Sequence, residues 1–285
     1  MFKDSYIHFD KKTETKNYTK IYKDKDLKNF YPANLKRFQI VEKLIKKKNP
    51  KKIIDAGCGA GLPLINLKKR GYNIIGYDNS KNMVIEGKKN LKKNKLSEDL
   101  IFKGNFENPK FIKNNSVDCI IGLGAFYYSR NFTKTLKKQI SKLRKNGSII
   151  FSLRNKLFDI STFNEYSEKF FLDLYSINKK DTFTQKKFKK LFKNYFKSKR
   201  NLQKNIDQKK VFSLRHNPLT FENEICKKLN LKLNNIYFYH FHSLPPYFEK
   251  KNKLKYRQQS IIMEKPNDWK GVFLSSAFIV DCSKK

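Results

Sequence analysis

Three glycines and two aspartates stand at spacings that suit the binding of a nucleotide-like ligand. Gly57, Gly59 and Gly61 occupy every second position of "IIDAGCGAGLPL", Asp55 precedes them, and Asp78 ends the next apolar run. A glycine-rich turn between a strand and its helix lets the backbone approach a ligand closely. A carboxylate can accept hydrogen bonds from both hydroxyls of a ribose. The pattern therefore predicts a nucleoside ligand at the carboxyl end of a parallel sheet.

Two other glycine loops do not fit this stretch. A P-loop requires Lys-Ser or Lys-Thr after its last glycine, whereas Leu62 and Pro63 follow Gly61. The dinucleotide fingerprint requires its third glycine at the position of Leu62, and Pro63 lacks an N–H group for a pyrophosphate. The spacing argues against both a nucleoside triphosphate and a nicotinamide dinucleotide.

The loop lies within an alternating series of predicted helices and strands. An amphipathic helix is predicted over Ala33 to Lys48, and strands are predicted at "KIIDAG", "NIIGYD", "DLIFKGN", "SVDCIIGLGAF" and "SIIFSLRN", with helices between them. Two further strands are expected over residues 234–244 and 271–283. This order predicts an α/β fold with a doubly wound, mainly parallel sheet of seven strands.

The alternation stops after Asn155 and resumes near residue 231. The runs between have helical spacing without a strand, so we expect a helical insertion over 157–230, between strands five and six. The chain would then be a single domain over 1–285. Its core would comprise 33–156 and 231–285, preceded by a loosely structured arm or short helices over 1–32.

The formal net charge of +39 needs an explanation of its own. A strongly basic surface is typical of nucleic-acid binding. However, lysine makes up most of the 64 basic residues and is spread along the whole chain. Specific phosphate and base recognition favours arginine, so a coding bias toward lysine is the preferred explanation. Binding of nucleic acid remains an alternative that is not favoured.

The cysteines and the lengths of the apolar runs limit the possible classes of protein. The four cysteines lie far apart, without a C-x-x-C pair or a histidine at ligand spacing, so we expect reduced thiols and neither a disulfide scaffold nor a metal site. No run approaches the roughly 18 apolar residues of a spanning helix, and the first residues lack the apolar segment of a signal peptide. We expect a soluble, cytoplasmic protein without membrane insertion.

The glycine loop resembles motif I of the class I S-adenosylmethionine-dependent methyltransferases, acid-x-G-x-G-x-G. The stretch "GYDNSKNMV" resembles their second signature, G-x-D-x-S-x-x-M. The resemblance covers roughly residues 33–156 and 231–285. It implies a Rossmann-like sheet with an antiparallel last strand, S-adenosylmethionine as cofactor, and Asp78 as the ligand of the ribose hydroxyls. Asn105 stands where the family usually has an aspartate for the adenine amino group. The implied cofactor-binding residues are Asp55, Gly57, Cys58, Gly59, Gly61, Asp78, Asn79, Asn105 and Gly122.

Residues at the ends of strands four to six are the candidates for the acceptor side, which the insertion would cover. His242 and His240 are candidate bases because histidine titrates near neutrality, and strand alternation places both on one face with Phe238. Tyr127 is a third catalytic candidate. Ordinary packing would explain each of them equally well. The candidate substrate-binding residues are Tyr128, Arg154, Asn155 and His216, and an inward-facing Arg154 would favour an anionic acceptor.

The second signature is most familiar in methyltransferases that act on small molecules. Strand four ends in "GLGAFYY" in place of the [DNS]-P-P-[YF] of adenine-N6 enzymes, and no Pro-Cys of the RNA cytosine-C5 enzymes occurs. We predict methyl transfer to O or N of a small-molecule or precursor acceptor, such as a sugar or surface-polysaccharide precursor. The alternatives are an rRNA or tRNA methyltransferase and a non-catalytic regulator that binds the cofactor.

Overall fold

A computed structural model gives the architecture of residues 5–24, 26–175, 177, 181–195, 211–250 and 252–285. The strands are β1 Ile53–Ala56, β2 Ile74–Asp78, β3 Ile101–Lys103, β4 Val117–Gly122, β5 Leu143–Asn155, β6 Arg215–His216, β7 Leu231–Phe241 and β8 Ser275–Lys284. They form a sheet in the order β3-β2-β1-β4-β5-β8-β7, with β6 beside β5. Strands β1 to β5 pair in parallel, while β8 is antiparallel to both β5 and β7. The predicted fold class is confirmed.

Helices flank this sheet and precede it. They are α1 Ser5–Phe9, α2 Lys12–Lys23, α3 Ala33–Lys48, α4 Leu62–Lys69, α5 Lys81–Lys93, α6 Phe132–Ile140, α7 Glu165–Leu174, α8 Thr182–Tyr195, α9 Lys253–Ile262 and α10 Gly271–Leu274. The bounds of α3 are those predicted from its apolar spacing. Ser80 caps α5, because its Oγ accepts a hydrogen bond from the Met83 amide at 3.1 Å.

Two apolar clusters hold the helices on opposite faces of the sheet. Consecutive strand residues supply them alternately: Ile54 and Ile120 belong to one cluster, and Ile53 and Ile121 to the other. A parallel strand covered by helices on both faces is buried along its whole length, which explains the continuous apolar runs of the sequence. The carboxyl ends of the parallel strands are left uncovered by this packing.

The insertion over residues 157–230, expected to be mostly helical, also includes a two-residue strand at 215–216 that the sequence did not indicate. A 3-10 segment at Leu157–Thr162 and helices α7 and α8 come first. Strand β6 then pairs in parallel with the end of β5, with Arg154 opposite Arg215. This pairing provides hydrogen-bond partners for the main chain of β5 beyond the end of β4. No local sequence pattern predicts it. Residues 196–210 of the expected insertion lie outside the described residues.

The described part of the chain contains no helix that is long and apolar enough to span a membrane. Within the same residues, no group of three or more histidine, cysteine or acidic side chains is arranged to hold a metal ion. All four cysteines are buried and free.

Candidate active site

A cavity of about 230 Å³ opens where β1, β2 and β4 end. The walls come from the glycine loop after β1, the end of β2, the loop after β4, and helices α1 to α3. Open α/β sheets bind ligands at this edge, where the order of the strands reverses and the connections diverge. The sequence-based placement of the site at the carboxyl ends of the strands agrees with this cavity.

The glycine loop needs its glycines for conformation and for space. Gly57, Gly59 and Gly61 have φ angles of 76°, 55° and 74°, a region that side chains disfavour. A Cβ on Gly57 would collide with the Cβ of Ala125 across the cavity. Gly57 and Gly59 line the cavity. Cys58, also predicted to bind the cofactor, is buried in the apolar core instead.

Asp78 is held in a fixed orientation at the end of β2. Its Oδ2 accepts a hydrogen bond from the Gly59 amide at 2.8 Å, and its Oδ1 accepts one from the Ser80 amide at 2.9 Å. Each oxygen retains a lone pair for a further donor. Asp78 and the predicted Asn79 both line the cavity. The geometry suits a diol that approaches the carboxylate from the open side.

Asp55 is a buried carboxylate that has no hydrogen-bond partner among the described residues. The side chain is 1% exposed, and both oxygens are unpaired. Burial, with Asp78 nearby, raises the pKa of Asp55 to about 7, and Arg37 acts in the opposite direction. A buried polar group without a partner is costly, so a positively charged ligand group beside Asp55 would stabilise the fold.

Arg37 is a site residue that the sequence analysis missed. The residue is 5% exposed on α3, donates to the Tyr22 hydroxyl at 2.6 Å, and keeps its Nε without a partner. The Arg37 side chain lines the cavity close to Gly124. A signal existed, because position 37 falls on the same helical stripe as Ile40, Val41 and Leu44. A charge on the buried face of an amphipathic helix indicates a function for that charge.

These groups fit S-adenosylmethionine. Asp78 can hold the two ribose hydroxyls, the Asp55 carboxylate can balance the ammonium group, and the Arg37 guanidinium can pair with the carboxylate. Gly57 and Gly59 present their backbone to the cavity, and a Cβ at these positions would meet Ala125 and Tyr18, respectively. The unpaired buried atoms of Asp55 and Arg37 thus have complementary partners in the amino-acid end of the cofactor.

Three other predicted cofactor residues, Asn105, Gly122 and Gly61, do not line the cavity. Asn105 is exposed, and its Oδ1 accepts from the Glu107 amide at 2.8 Å, so its side chain completes a local turn. Phe106 lines the cavity in its place. Gly122 ends β4 against the Phe126 ring, and Gly61 begins α4 against Ile101. These glycines shape the site without lining it.

The two candidate histidine bases do not line the cavity. His242 is buried, and its Nδ1 shares a hydrogen bond of 2.8 Å with the Tyr256 hydroxyl on α9. His240 stacks on Tyr31 at 4.6 Å between ring centres. Burial lowers the pKa of His240 to about 4, with a smaller contribution in the same direction from Arg154. The prediction that His242 faces the cofactor site was wrong, and His240 likewise lies away from the cavity.

A local backbone irregularity explains this error. His240 has a φ of 60°, and the amides of His240 and Phe241 both donate to Oε1 of Glu264. The change of conformation interrupts the alternation of side chains, so that Phe238 and Phe241 share one core cluster. A period of two therefore assigns the wrong faces beyond Tyr239.

Two predicted substrate-binding residues have structural roles. Asn155 is fully buried, and its amide nitrogen donates to the carbonyls of Val272 and Ser275 at 2.8 Å each. It joins the end of β5 to the start of β8. His216 packs on Phe132 at 4.4 Å between ring centres, and burial lowers the pKa of its imidazole to about 4. Neither residue lines the cavity.

Of the other candidates for the acceptor side, Tyr127 and Tyr128 lie at the cavity beside the loop after β4, and Arg154 contacts Tyr127 without lining the cavity. The two tyrosines line the cavity, with their ring centres 4.4 Å apart. Arg154 Cζ lies 5.0 Å from the Tyr127 ring centre, a cation–π distance. This part of the cavity wall is therefore aromatic, and a guanidinium lies next to it.

The N-terminal helices cover the cavity. Oδ1 of Asp10 accepts from the Ser80 hydroxyl and from the Asn82 amide, both at 2.9 Å. The Tyr18 ring stands against Gly59, 3.1 Å from the place of a Cβ, and Phe9 packs on Tyr128. No local pattern in the sequence predicts these contacts, because they join segments that are distant along the chain.

Comparison with known proteins agrees with this site. Residues 47–217 match the family model described as a methyltransferase domain. The chain is 28% identical over 144 residues to the ubiquinone biosynthesis O-methyltransferase of Pelagibacter ubique, covering 47% of this chain and 58% of that protein. It is 32% identical over 127 residues to an uncharacterized protein of Haemophilus influenzae, covering 40% and 48%. The chain thus spans about half the length of the curated relatives it matches.

Solved structures share the fold over almost the whole chain. A methyltransferase of Thermotoga maritima, described as a possible histamine N-methyltransferase, superposes with a TM-score of 0.58 at 15% identity, covering 98% of this chain and 100% of the other. Magnesium protoporphyrin IX methyltransferase of Synechocystis, with bound S-adenosylhomocysteine, gives a TM-score of 0.57 at 12% identity, covering 98% of each chain. With the family match over more than half of its length, the chain belongs to the methyltransferase-domain family.

Proposed function

We propose that the enzyme transfers a methyl group to an oxygen or nitrogen atom of a small molecule. The observation that carries this proposal is the cavity whose lining includes Tyr127 and Tyr128 together with Asp78 and Arg37. Helices α1 and α2 close over the same cavity, which favours a small acceptor over a folded RNA. The O-methyltransferase of Pelagibacter ubique supports the same class. A sugar or polysaccharide precursor stays one prediction within that class.

The chain itself contributes binding and alignment. Bound S-adenosylmethionine supplies a methyl group that is already activated on a sulfonium centre. Asp78 holds the ribose, while Asp55 and Arg37 fix the amino-acid end, so the position of the methyl group is set by residues on three elements. Tyr127 and Tyr128 bound the space for the acceptor. Correct alignment of two reactants supplies much of the rate in such displacements.

We propose further that two segments enclose the acceptor. The arm, residues 1–32, contributes Phe9 and Tyr18 to the cavity wall. The inserted segment, residues 157–230, continues directly from Arg154 at the end of β5 and returns beside it through β6. Exclusion of water by such segments protects the reaction and shapes specificity.

A labelled-cofactor experiment tests the proposal against its alternatives. The protein is incubated with methyl-labelled S-adenosylmethionine and, in separate reactions, with RNA and small-metabolite fractions of a host lysate. We expect label in the small-metabolite fraction. Label in RNA alone would contradict the small-molecule acceptor and support the RNA alternative. Micromolar cofactor binding without transfer to either fraction would support the non-catalytic regulator.

A further inference from the structure

We propose that Cys226 and Cys282 form a reversible disulfide when the protein meets a mild oxidant such as hydrogen peroxide. This inference is independent of methyl transfer, because neither cysteine lines the cavity. It assigns a modification site to a second part of the molecule. The evidence is the contact between the two sulfur atoms, the way in which each cysteine is held, and the position of one of them in a surface segment.

The two sulfur atoms are already in contact. Sγ of Cys226 lies 3.6 Å from Sγ of Cys282, and both free thiols are buried in the same apolar cluster. The sulfur–sulfur bond of a disulfide is about 2 Å long, so an approach of about 1.5 Å is needed. Cys58 and Cys119 belong to the cluster on the opposite face of the sheet. Of the four cysteines, only Cys226 and Cys282 are therefore placed to react with each other.

Cys282 is held firmly, whereas Cys226 lies in an irregular segment. Cys282 is a residue of β8, which pairs with β5 on one side and with β7 on the other. Cys226 ends a single π-helical turn, Glu222–Cys226, and a 3-10 turn follows over Lys227–Leu229. Short turns of these kinds are less favourable than a regular α-helix. The approach of the two sulfur atoms therefore requires movement of Cys226 more than of Cys282.

The same segment gives an oxidant access to Cys226. The residues on either side, 222–224 and 227–228, are exposed, so Cys226 is the buried residue of a surface segment. Local opening of a surface turn requires less free energy than unfolding of the whole domain. Hydrogen peroxide is only slightly larger than water. We therefore expect it to reach the Cys226 sulfur without global unfolding.

The contact between the thiols also decides which of them reacts first. With the Cys282 thiol as the donor, the hydrogen bond lowers the pKa of Cys226 and raises the pKa of Cys282. The thiolate is the nucleophilic form of cysteine. Cys226 is thus the sulfur that attacks the oxidant, and Cys282 is the sulfur that completes the disulfide.

The reaction balances with hydrogen peroxide as the oxidant. The Cys226 thiolate attacks one oxygen, the O–O bond breaks, and the sulfur becomes a sulfenic acid as hydroxide leaves. The Cys282 sulfur then attacks the sulfenic sulfur, the S–O bond breaks, and the hydroxyl group leaves as water with the Cys282 proton. The first hydroxide takes up the proton that Cys226 had lost. Two thiols and one peroxide thus give one disulfide and two waters, and the two electrons lost by the sulfur atoms reduce the peroxide.

Identification of the linked cysteines tests the proposal on the full chain. The native protein is treated with hydrogen peroxide, unfolded, alkylated with iodoacetamide and digested, and the peptides are identified by mass spectrometry. We expect linked peptides that carry Cys226 and Cys282, alkylation of Cys58 and Cys119 as in the untreated protein, and recovery of all four thiols after treatment with dithiothreitol. Four alkylated cysteines after treatment would overturn the proposal. Oxidation of Cys226 or Cys282 without the link would overturn it as well.

Serine variants separate the disulfide from other effects of peroxide. The melting temperature of the wild type should rise by about 5 °C on oxidation, because a link between residues 56 positions apart restricts the unfolded chain. Cys226→Ser and Cys282→Ser should show no rise, whereas Cys119→Ser, the matched control for a buried thiol in the other cluster, should retain it. An equal rise in Cys226→Ser and in the wild type would assign the effect to another oxidation and remove the pair from this role.

Discussion

Asp78 accepts a hydrogen bond from the backbone amide of Gly59 at 2.8 Å, so the second sequence signature directly orders the first. The same carboxylate accepts from the Ser80 amide. One side chain therefore shapes the glycine loop and faces the ligand. Changes at Asp78 are expected to act on cofactor binding through both effects.

Asp78→Asn should weaken the binding of S-adenosylhomocysteine by about 100-fold, because the amide cannot accept from both ribose hydroxyls while it also meets two backbone donors. Isothermal titration calorimetry measures the affinity. Asp99→Asn, at an exposed aspartate that accepts only from Ser97 and lies outside the cavity wall, is the matched control. Equal affinities for the Asp78 variant and the wild type would remove Asp78 from the ribose role.

Asp55 should make cofactor binding dependent on pH. Its pKa is about 7 in the protein alone, so the carboxyl is largely protonated below that value and ionised above it. A bound ammonium group favours the ionised form. Affinity for S-adenosylhomocysteine should therefore increase as the pH rises from about 6 to about 7.5. Asp55→Asn should bind more weakly and show little change over this range. A wild-type affinity that is flat with pH would contradict the pairing.

Asp10 should control how quickly the cofactor leaves. Its carboxylate links the N-terminal helices to Ser80 and Asn82. Asp10→Ala removes both hydrogen bonds, and we expect the dissociation rate of S-adenosylhomocysteine to rise by about 30-fold, since two bonds of about 1 kcal/mol each are lost. Stopped-flow displacement measures the rate. Equal dissociation rates for the wild type and the Asp10→Ala variant would show that these contacts do not control release of the ligand.

Asn155→Ala should destabilise the fold and leave cofactor affinity unchanged. The amide nitrogen satisfies the carbonyls of Val272 and Ser275, which are enclosed with it. Their loss should lower the free energy of unfolding by about 2 to 3 kcal/mol. Urea denaturation measures this quantity, with the exposed Asn235→Ala as control. A stable variant with altered acceptor kinetics would restore Asn155 to substrate binding.

His216 should make the protein sensitive to acid. Its pKa is about 4 in the fold, below the ordinary value of 6.5, so the folded state binds fewer protons than the unfolded state. The contribution of the neutral, buried His216 to the free energy of unfolding is therefore fully present above about pH 6.5 and is lost as the pH drops toward about 4. His216→Phe, which can keep the stacking on Phe132, should flatten this decline. Thermal unfolding measured across this range gives the slope, and an identical decline in both proteins would exclude His216 as a cause.

The sequence was most informative where function depends on local backbone geometry. Gly57, Gly59 and Asp78 were predicted from spacing, because a tight turn and a strand end are determined by a few neighbouring residues. Arg37 was missed, although its place on the apolar stripe of α3 was visible. Nothing local shows what a helix covers, so the sequence alone does not reveal the cavity that Arg37 lines.

The errors arose where a distant segment changes a local rule. His240 leaves the regular strand conformation because Glu264 binds two consecutive amides there. Asn155 is structural because α10 and the start of β8 present carbonyls to it. Neither partner is near in sequence, so no periodicity predicts the outcome. The same reasoning applies to the cover formed by α1 and α2.

The contacts of that cover also bear on how the protein folds. Phe9 meets Tyr128 and Tyr18 meets Gly59, so the wall joins the beginning of the chain to elements far along it. Contacts with such large sequence separation cost the most loop-closure entropy and form after local structure. A chain that has formed its sheet but not yet seated the first two helices would lack a complete cofactor site. Binding of the cofactor therefore stabilises only the finished fold and draws the last folding step to completion.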